Sequence, residues 1–205
     1  MRPSVAVRPT PAWASCALFA ALAVAAPASA HEAAGTAGGF AAGFLHPLMG
    51  LDHLLAMVAV GIWGAVLGRP LVYALPVIFP TVMAAGGVLG MMGVPVPPVE
   101  IGIALSVLLL GAAIAAAFKA PVWAACLLVG LFGVFHGYAH GAELPAAADP
   151  LHYSAGFVLA TGLLHLAGIA IGLLHAHPRG LVLTRGAGGL IAAAGVWFLV
   201  QAATG

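Results

Sequence analysis

The sequence predicts an all-α membrane bundle of six transmembrane helices behind a cleaved signal peptide. Three observations carry that expectation. The 205 residues are 63% hydrophobic and 5% charged, with a mean hydropathy of +1.16. A soluble domain carries about 25% charged residues, so these few charges cannot cover a water-facing surface, and lipid becomes the solvent. The N-terminus has the pattern of an export signal, and six apolar runs of roughly 20 residues follow it, the length that a bilayer core demands.

Arg2 and Arg8 form a positive leader, residues 14–26 an apolar stretch too short to span a bilayer comfortably, and Ala28-Ser29-Ala30 a small-residue cleavage pattern. Cleavage divides the chain into a signal peptide, 1–30, and a single membrane domain, 31–205, whose first residue is His31. The mature chain then keeps one thiol, Cys126, because Cys16 leaves with the leader. That excludes an internal disulfide and a Cys-x-x-Cys metal site. A net charge of +1 excludes an electrostatic nucleic-acid footprint.

The first apolar run spans about 47–68, with Pro47 suited to the first turn of a helix, where its missing N–H costs nothing. The second spans about 71–92 and carries Pro76 and Pro80, which should kink it. The remaining four span about 99–118, 121–140, 151–174 and 181–203. Backbone groups in lipid must bond internally, so all six are helices. Glycines four apart, as at Gly86/Gly90 and Gly133/Gly137/Gly141, allow close helix approach.

Orientation follows from charge. Arg69, Lys119 and the pair Arg179/Arg185 fall in alternate loops, hence on one side, which the positive-inside rule assigns to the cytoplasm. Glu32, Glu100, Glu143 and Asp149 fall on the other side. A cleaved leader independently places the mature N-terminus in the periplasm of an inner-membrane protein.

The nine histidines outnumber the six Lys plus Arg and the five Asp plus Glu. Intramembrane polar groups need a reason. The first run opens His46-Pro47-Leu48-Met49-Gly50-Leu51-Asp52-His53. On one continuous helix, His46 and His53 would share a face about 10 Å apart, two stations on one path rather than one site. Asp52 inside that helix is either a ligand or a partner that fixes a histidine tautomer. The fourth run ends Phe135-His136-Gly137-Tyr138-Ala139-His140-Gly141-Ala142-Glu143. His136, His140 and Glu143 share a face, either as a chelating set or with the histidines capping the helix C-terminus.

The other histidines are weaker candidates. His165 in Leu163-Leu164-His165-Leu166 is either a helix–helix hydrogen bond or a pathway residue; His152 is interfacial, and His175 and His177 sit at the solvated edge. His31 could chelate through amine and imidazole if cleavage falls before it. Cys126 and the methionines read as packing. Imidazole with carboxylate suits Ni, Co, Zn or Cu(II) better than Mg, Ca or Cu(I), and does not choose among them.

The signature His46-Pro47-x-x-Gly50-x-Asp52-His53 resembles the first-helix motif of the HupE/UreJ family of nickel/cobalt permeases, and Phe135-His136-Gly137-x-Ala139-His140-Gly141-x-Glu143 resembles its fourth-helix motif. Residues 99–106 and 156–165 are similar to its third and fifth helices. The resemblance covers the whole chain. It implies non-ATP transport of Ni²⁺, or Co²⁺, from periplasm to cytoplasm for hydrogenase, urease or cobalamin pathways. The ion is then a transported substrate, with no permanently bound cofactor and no enzyme activity. By residue-wise carry-over it implies His46, Asp52, His53, His136, His140 and Glu143 as metal residues, and Glu100 more weakly. The competing readings are a bis-histidine haem protein, pairing His53 or His165 with His136, a membrane metalloenzyme, for which no nucleophile or base stands apart from the ligands, and a metal-binding accessory protein that does not transport.

Overall fold

Punctuation by Gly and Pro divides the apolar sequence into helices. The computed structural model describes residues 39–96, 98–142, 144 and 150–204. Among them the regular structure is entirely helical: α1 Gly39–Met49, α2 Leu51–Leu67, α3 Leu71–Met91, α4 Val99–Ala115, α5 Val122–Ala142, α6 Pro150–Leu173 and α7 Pro178–Thr204. A short 3-10 turn, Leu174–Ala176, extends α6. The leader and His31 lie outside the described residues.

Four helices, α3, α5, α6 with its 3-10 turn, and α7, are long and apolar enough to cross a membrane; α1 and α2 make a fifth if the bent pair is one span. The 17 residues of α4 form a shorter apolar helix. Two local expectations are corrected. The first apolar run is not one helix, because α1 and α2 meet at an 80° bend. Pro47 accordingly stands in the last turn of α1 rather than the first turn of a spanning helix. The bend is made at Gly50, whose extended backbone (φ −86°, ψ 109°) stops one helix and starts the next. By contrast, α3 runs unbroken past Pro76 and Pro80.

α2 is the central helix. From Ala56 to Val66 nearly every residue is buried, as an all-round apolar helix should be. It touches α1, α3, α4, α6 and α7. The outer helices bury one stripe each, such as Leu71, Leu75, Phe79, Met83, Gly86 and Gly90 on α3. Their other faces expose Trp123, Leu127, Leu166, Val182, Leu183 and Trp197, a surface matched to lipid rather than water. The chain is a multi-pass helical membrane protein.

Small residues set the helix spacing. A Cβ at Gly137 or Gly141 of α5 would overlap the carbonyls of Met83 or Gly87 on α3. Gly61 of α2 and Gly168 of α6 press together in the same way, the close packing that drives membrane helix association.

One end of the bundle is tied by cations. Lys119 Nζ donates to the Val66 carbonyl at 2.6 Å, and Arg185 Nε to the Ala115 carbonyl at 2.7 Å. These are carbonyls at helix C-termini, where positive charge is favoured. Asp52, Glu100 and His140 lie toward the opposite helix ends. The described basic and acidic residues thus segregate as expected.

Candidate metal-binding site

The bend at Gly50 creates the site. It places His46 in the last turn of α1, and Asp52 and His53 in the first turn of α2. The expected continuous helical register of His46 and His53, with two stations along one face, is therefore corrected. Both rings converge on His140 of α5, with ring centroids 4.7 Å and 4.5 Å away. His53 also meets His136 at 4.7 Å, nearly edge-on at 88°. Four imidazoles from three helices form one cluster.

Asp52 fixes the chemistry of His53. Its Oδ1 accepts the His53 backbone N–H and Nδ1, each at 2.8 Å. A carboxylate only accepts, so Nδ1 carries the proton and Nε2 presents a lone pair. That Nε2 is buried and has no hydrogen-bond partner. The carboxylate sits at a helix N-terminus, where its charge is favoured.

Ser106 does the same for His136. Its Oγ lies 2.6 Å from the Ile103 carbonyl and 2.9 Å from His136 Nε2. A carbonyl cannot donate, and two lone pairs would repel at that separation. The single hydroxyl proton therefore goes to Ile103, and Ser106 accepts from Nε2–H. His136 is left with a bare Nδ1, buried and unpartnered. His140 has both ring nitrogens buried without partners. Neither histidine is bonded to a last-turn carbonyl, so the helix-capping reading is not how α5 uses them.

Unsatisfied buried polar atoms cost about 1–3 kcal/mol each. Lone pairs without donors, beside a carboxylate, describe a place for a cation. Among the described residues, no three His, Cys, Asp or Glu side chains already form a ready-made ion site. The imidazoles pack edge to face, and ligation requires them to rotate. Tyr153 and Phe157 of α6 close the cluster beside His46 and His140.

The other candidates fall around this cluster. Glu100 is exposed in the first turn of α4 and lines an open pocket of about 330 Å³ with Asp52, Ala104, Phe198, Gln201 and Ala202. The pocket lies at the acidic end of the bundle and reaches Asp52. Glu143 lies outside the described residues. His165 is buried but apart, with Phe79 between it and His136: the Phe79 ring is 5.3 Å from His136 and 5.6 Å from His165. His152 and His177 are exposed, and His175 Nδ1 donates to the Gly172 carbonyl at 2.7 Å. Cys126 is a free, half-buried thiol.

Sequence reasoning missed Ser106, a lone hydroxyl in an apolar helix. The only signal for it was its polarity within that apolar run. It also passed over the aromatic walls Phe79, Tyr153 and Phe157, which no motif marks out.

The comparisons with known proteins agree with the motifs. The family model described as HupE / UreJ protein matches residues 19–198. Protein HupE of Rhizobium leguminosarum bv. viciae is 46% identical over 179 residues, covering 87% of this chain and 94% of that protein. No solved structure matches significantly. With most of its length matched by both comparisons, the chain belongs to the HupE/UreJ protein family.

Proposed function

We propose that this protein carries a divalent transition-metal ion, Ni²⁺ first and Co²⁺ second, from periplasm to cytoplasm without ATP, and so supplies metalloenzyme or cobalamin assembly. The observation behind this reading is the cluster of His46, His53, His136 and His140 beside Asp52, with bare nitrogens held there by Asp52 and Ser106. Imidazole with carboxylate is the ligand chemistry of a borderline divalent metal. Glu143 joins this set in our reading as a further carboxylate from the same α5 motif, with Glu100 at the mouth of the pocket. The choice of nickel and cobalt rests on what the resemblance of the two motifs to the HupE/UreJ permeases implies.

The proposal includes six spans: α1–α2 as one broken span, α4 as a short one, and the four longer helices. The end tied by Lys119 and Arg185 is cytoplasmic by the positive-inside rule, which turns the histidine cluster and acidic pocket to the periplasm. A signal peptide ending at Ala30 agrees with that orientation. The haem reading is disfavoured by contact geometry. Axial imidazoles stand on opposite faces of a macrocycle, whereas His53 and His136 touch edge to face and a phenylalanine ring fills the space between His136 and His165.

Uptake of radioactive nickel and cobalt into proteoliposomes holding the purified protein tests the proposal. Time-dependent accumulation above protein-free vesicles is expected for both ions, without ATP, and not for Mg²⁺. Tight binding with no accumulation would make the protein an accessory metal binder instead.

A further inference from the structure

Beyond the outer cluster, one pair of buried polar groups has no use in the site described. His165 and Thr161 are both on α6, one helical turn apart on its buried stripe. His165 is 1% exposed and Thr161 0%. Both ring nitrogens of His165 and the Thr161 hydroxyl oxygen are without a hydrogen-bond partner. A buried threonine ordinarily returns its hydroxyl to the carbonyl one turn back, as Thr184 does to Gly180 at 2.9 Å. Thr161 does not.

A third polar group lies beside His165. Pro80 has no N–H, so the carbonyl four residues earlier, at Pro76, loses its helical partner. The His165 ring lies near that carbonyl without forming a well-shaped hydrogen bond to it. The His165 ring thus has a freed carbonyl beside it and an unpartnered hydroxyl one helical turn away on the same buried stripe, in an apolar interior where each is costly unless something binds it. Backbone contact between Gly61 and the His165 carbonyl holds this stretch of α6 firmly against α2.

We propose that His165, Thr161 and the Pro76 carbonyl form a second, inner station for the transported divalent cation. An ion leaves the outer cluster past Phe79 and is received by an N/O ligand set of the same chemical class. This rests on the transport reading above and adds where the ion goes next. The His165 ring is well into α6, past the outer cluster as measured from the end of the bundle that carries Asp52 and Glu100.

The test uses full-length purified protein, with cobalt or nickel alone as the probe. Bound ions per chain are counted by equilibrium dialysis, and uptake is measured in proteoliposomes. His165→Leu and Thr161→Val keep size and remove the polar atoms; His165→Gln guards against misfolding. Expected is a fall from two bound ions to one in His165→Leu, with uptake reduced on the order of tenfold or more. Thr161→Val should weaken the inner ion, and Thr161→Ser should restore it. The melting temperature of His165→Leu should equal or exceed that of the wild type, because an unpartnered polar group has been removed; a structural histidine would instead cost stability. Unchanged stoichiometry and uptake in His165→Leu, while Asp52→Asn loses both the outer ion and uptake, would overturn the inner station alone. Failure of the wild type to bind or accumulate either ion would overturn the transport reading and this inference with it.

Discussion

Ser106 Oγ accepts a hydrogen bond from His136 Nε2 at 2.9 Å while giving its own proton to the Ile103 carbonyl. A hydroxyl on α4 thereby decides which nitrogen of an α5 histidine is free to bind an ion. Outer partners of this kind typically contribute 10- to 100-fold in metal affinity. Ser106→Ala is expected to weaken Co²⁺ or Ni²⁺ binding by about tenfold or more with little loss of folded protein, and Ser106→Thr to recover most of it. Titration of purified protein by absorption or calorimetry measures this. Wild-type affinity in Ser106→Ala would remove the tautomer argument.

Asp52→Asn isolates charge from hydrogen bonding. An amide oxygen can still accept the His53 backbone N–H and Nδ1 that Asp52 holds at 2.8 Å, but it brings no negative charge to a dication in a low-dielectric bundle. Uptake at limiting metal, normalised to membrane abundance, should fall nearly as far as in Asp52→Ala. Normal transport by Asp52→Asn would mean that the carboxylate serves geometry only.

Convergence of the histidines on one cluster makes a claim about additivity. In the proposed reading His46, His53, His136 and His140 serve one ion, so alanine at any of them should reduce uptake by more than about tenfold. The double variant His53→Ala/His140→Ala should be no worse than the more damaging single change, because residues acting as a unit are non-additive. Multiplying losses would instead point to separate stations. His175→Ala and His177→Ala, at the other end of the bundle, should keep most uptake.

Close packing of α3 on α5 predicts a stability effect. A side chain at Gly137 would overlap the Met83 carbonyl, so Gly137→Val should cost about 1–3 kcal/mol or more and lower the melting temperature in detergent. Gly189→Ala, where the added methyl meets nothing within 4 Å, should leave it unchanged. Equal behaviour of the two would show that these helices are not held at glycine distance.

Much of this arrangement was readable in advance. Lipid as solvent, the helical class and the placement of Arg69, Lys119 and Arg185 at one end of the bundle follow from composition and spacing, although Arg185 stands in the second turn of α7 rather than in a loop. So does the His136/His140 pair, one helical turn apart on α5. The bend at Gly50 was not readable. The run 47–68 is uniformly apolar, Pro47 fits a first turn, and Gly50 needs no unusual φ to break the helix there. Without the bend, His46 and His53 lie too far apart to meet. Ser106 was equally silent, because a serine in a membrane helix commonly bonds to its own backbone, and the contact that matters comes from residue 136. The gap in Pro76 hydrogen bonding follows directly from Pro80, yet which side chain faces it depends on how α6 packs.

If the proposed ion binds at the unpartnered nitrogens of His53, His136 and His140, cargo and folding equilibrium are linked. An ion that binds only the folded bundle raises its apparent stability by RT ln(1 + [L]/Kd), and here it also relieves atoms left unsatisfied in its absence. The ion this cluster favours is then the one that shifts the melting curve furthest at equal free concentration, so the protein's choice among Ni²⁺, Co²⁺ and Zn²⁺ can be ranked at equilibrium, with no membrane to cross.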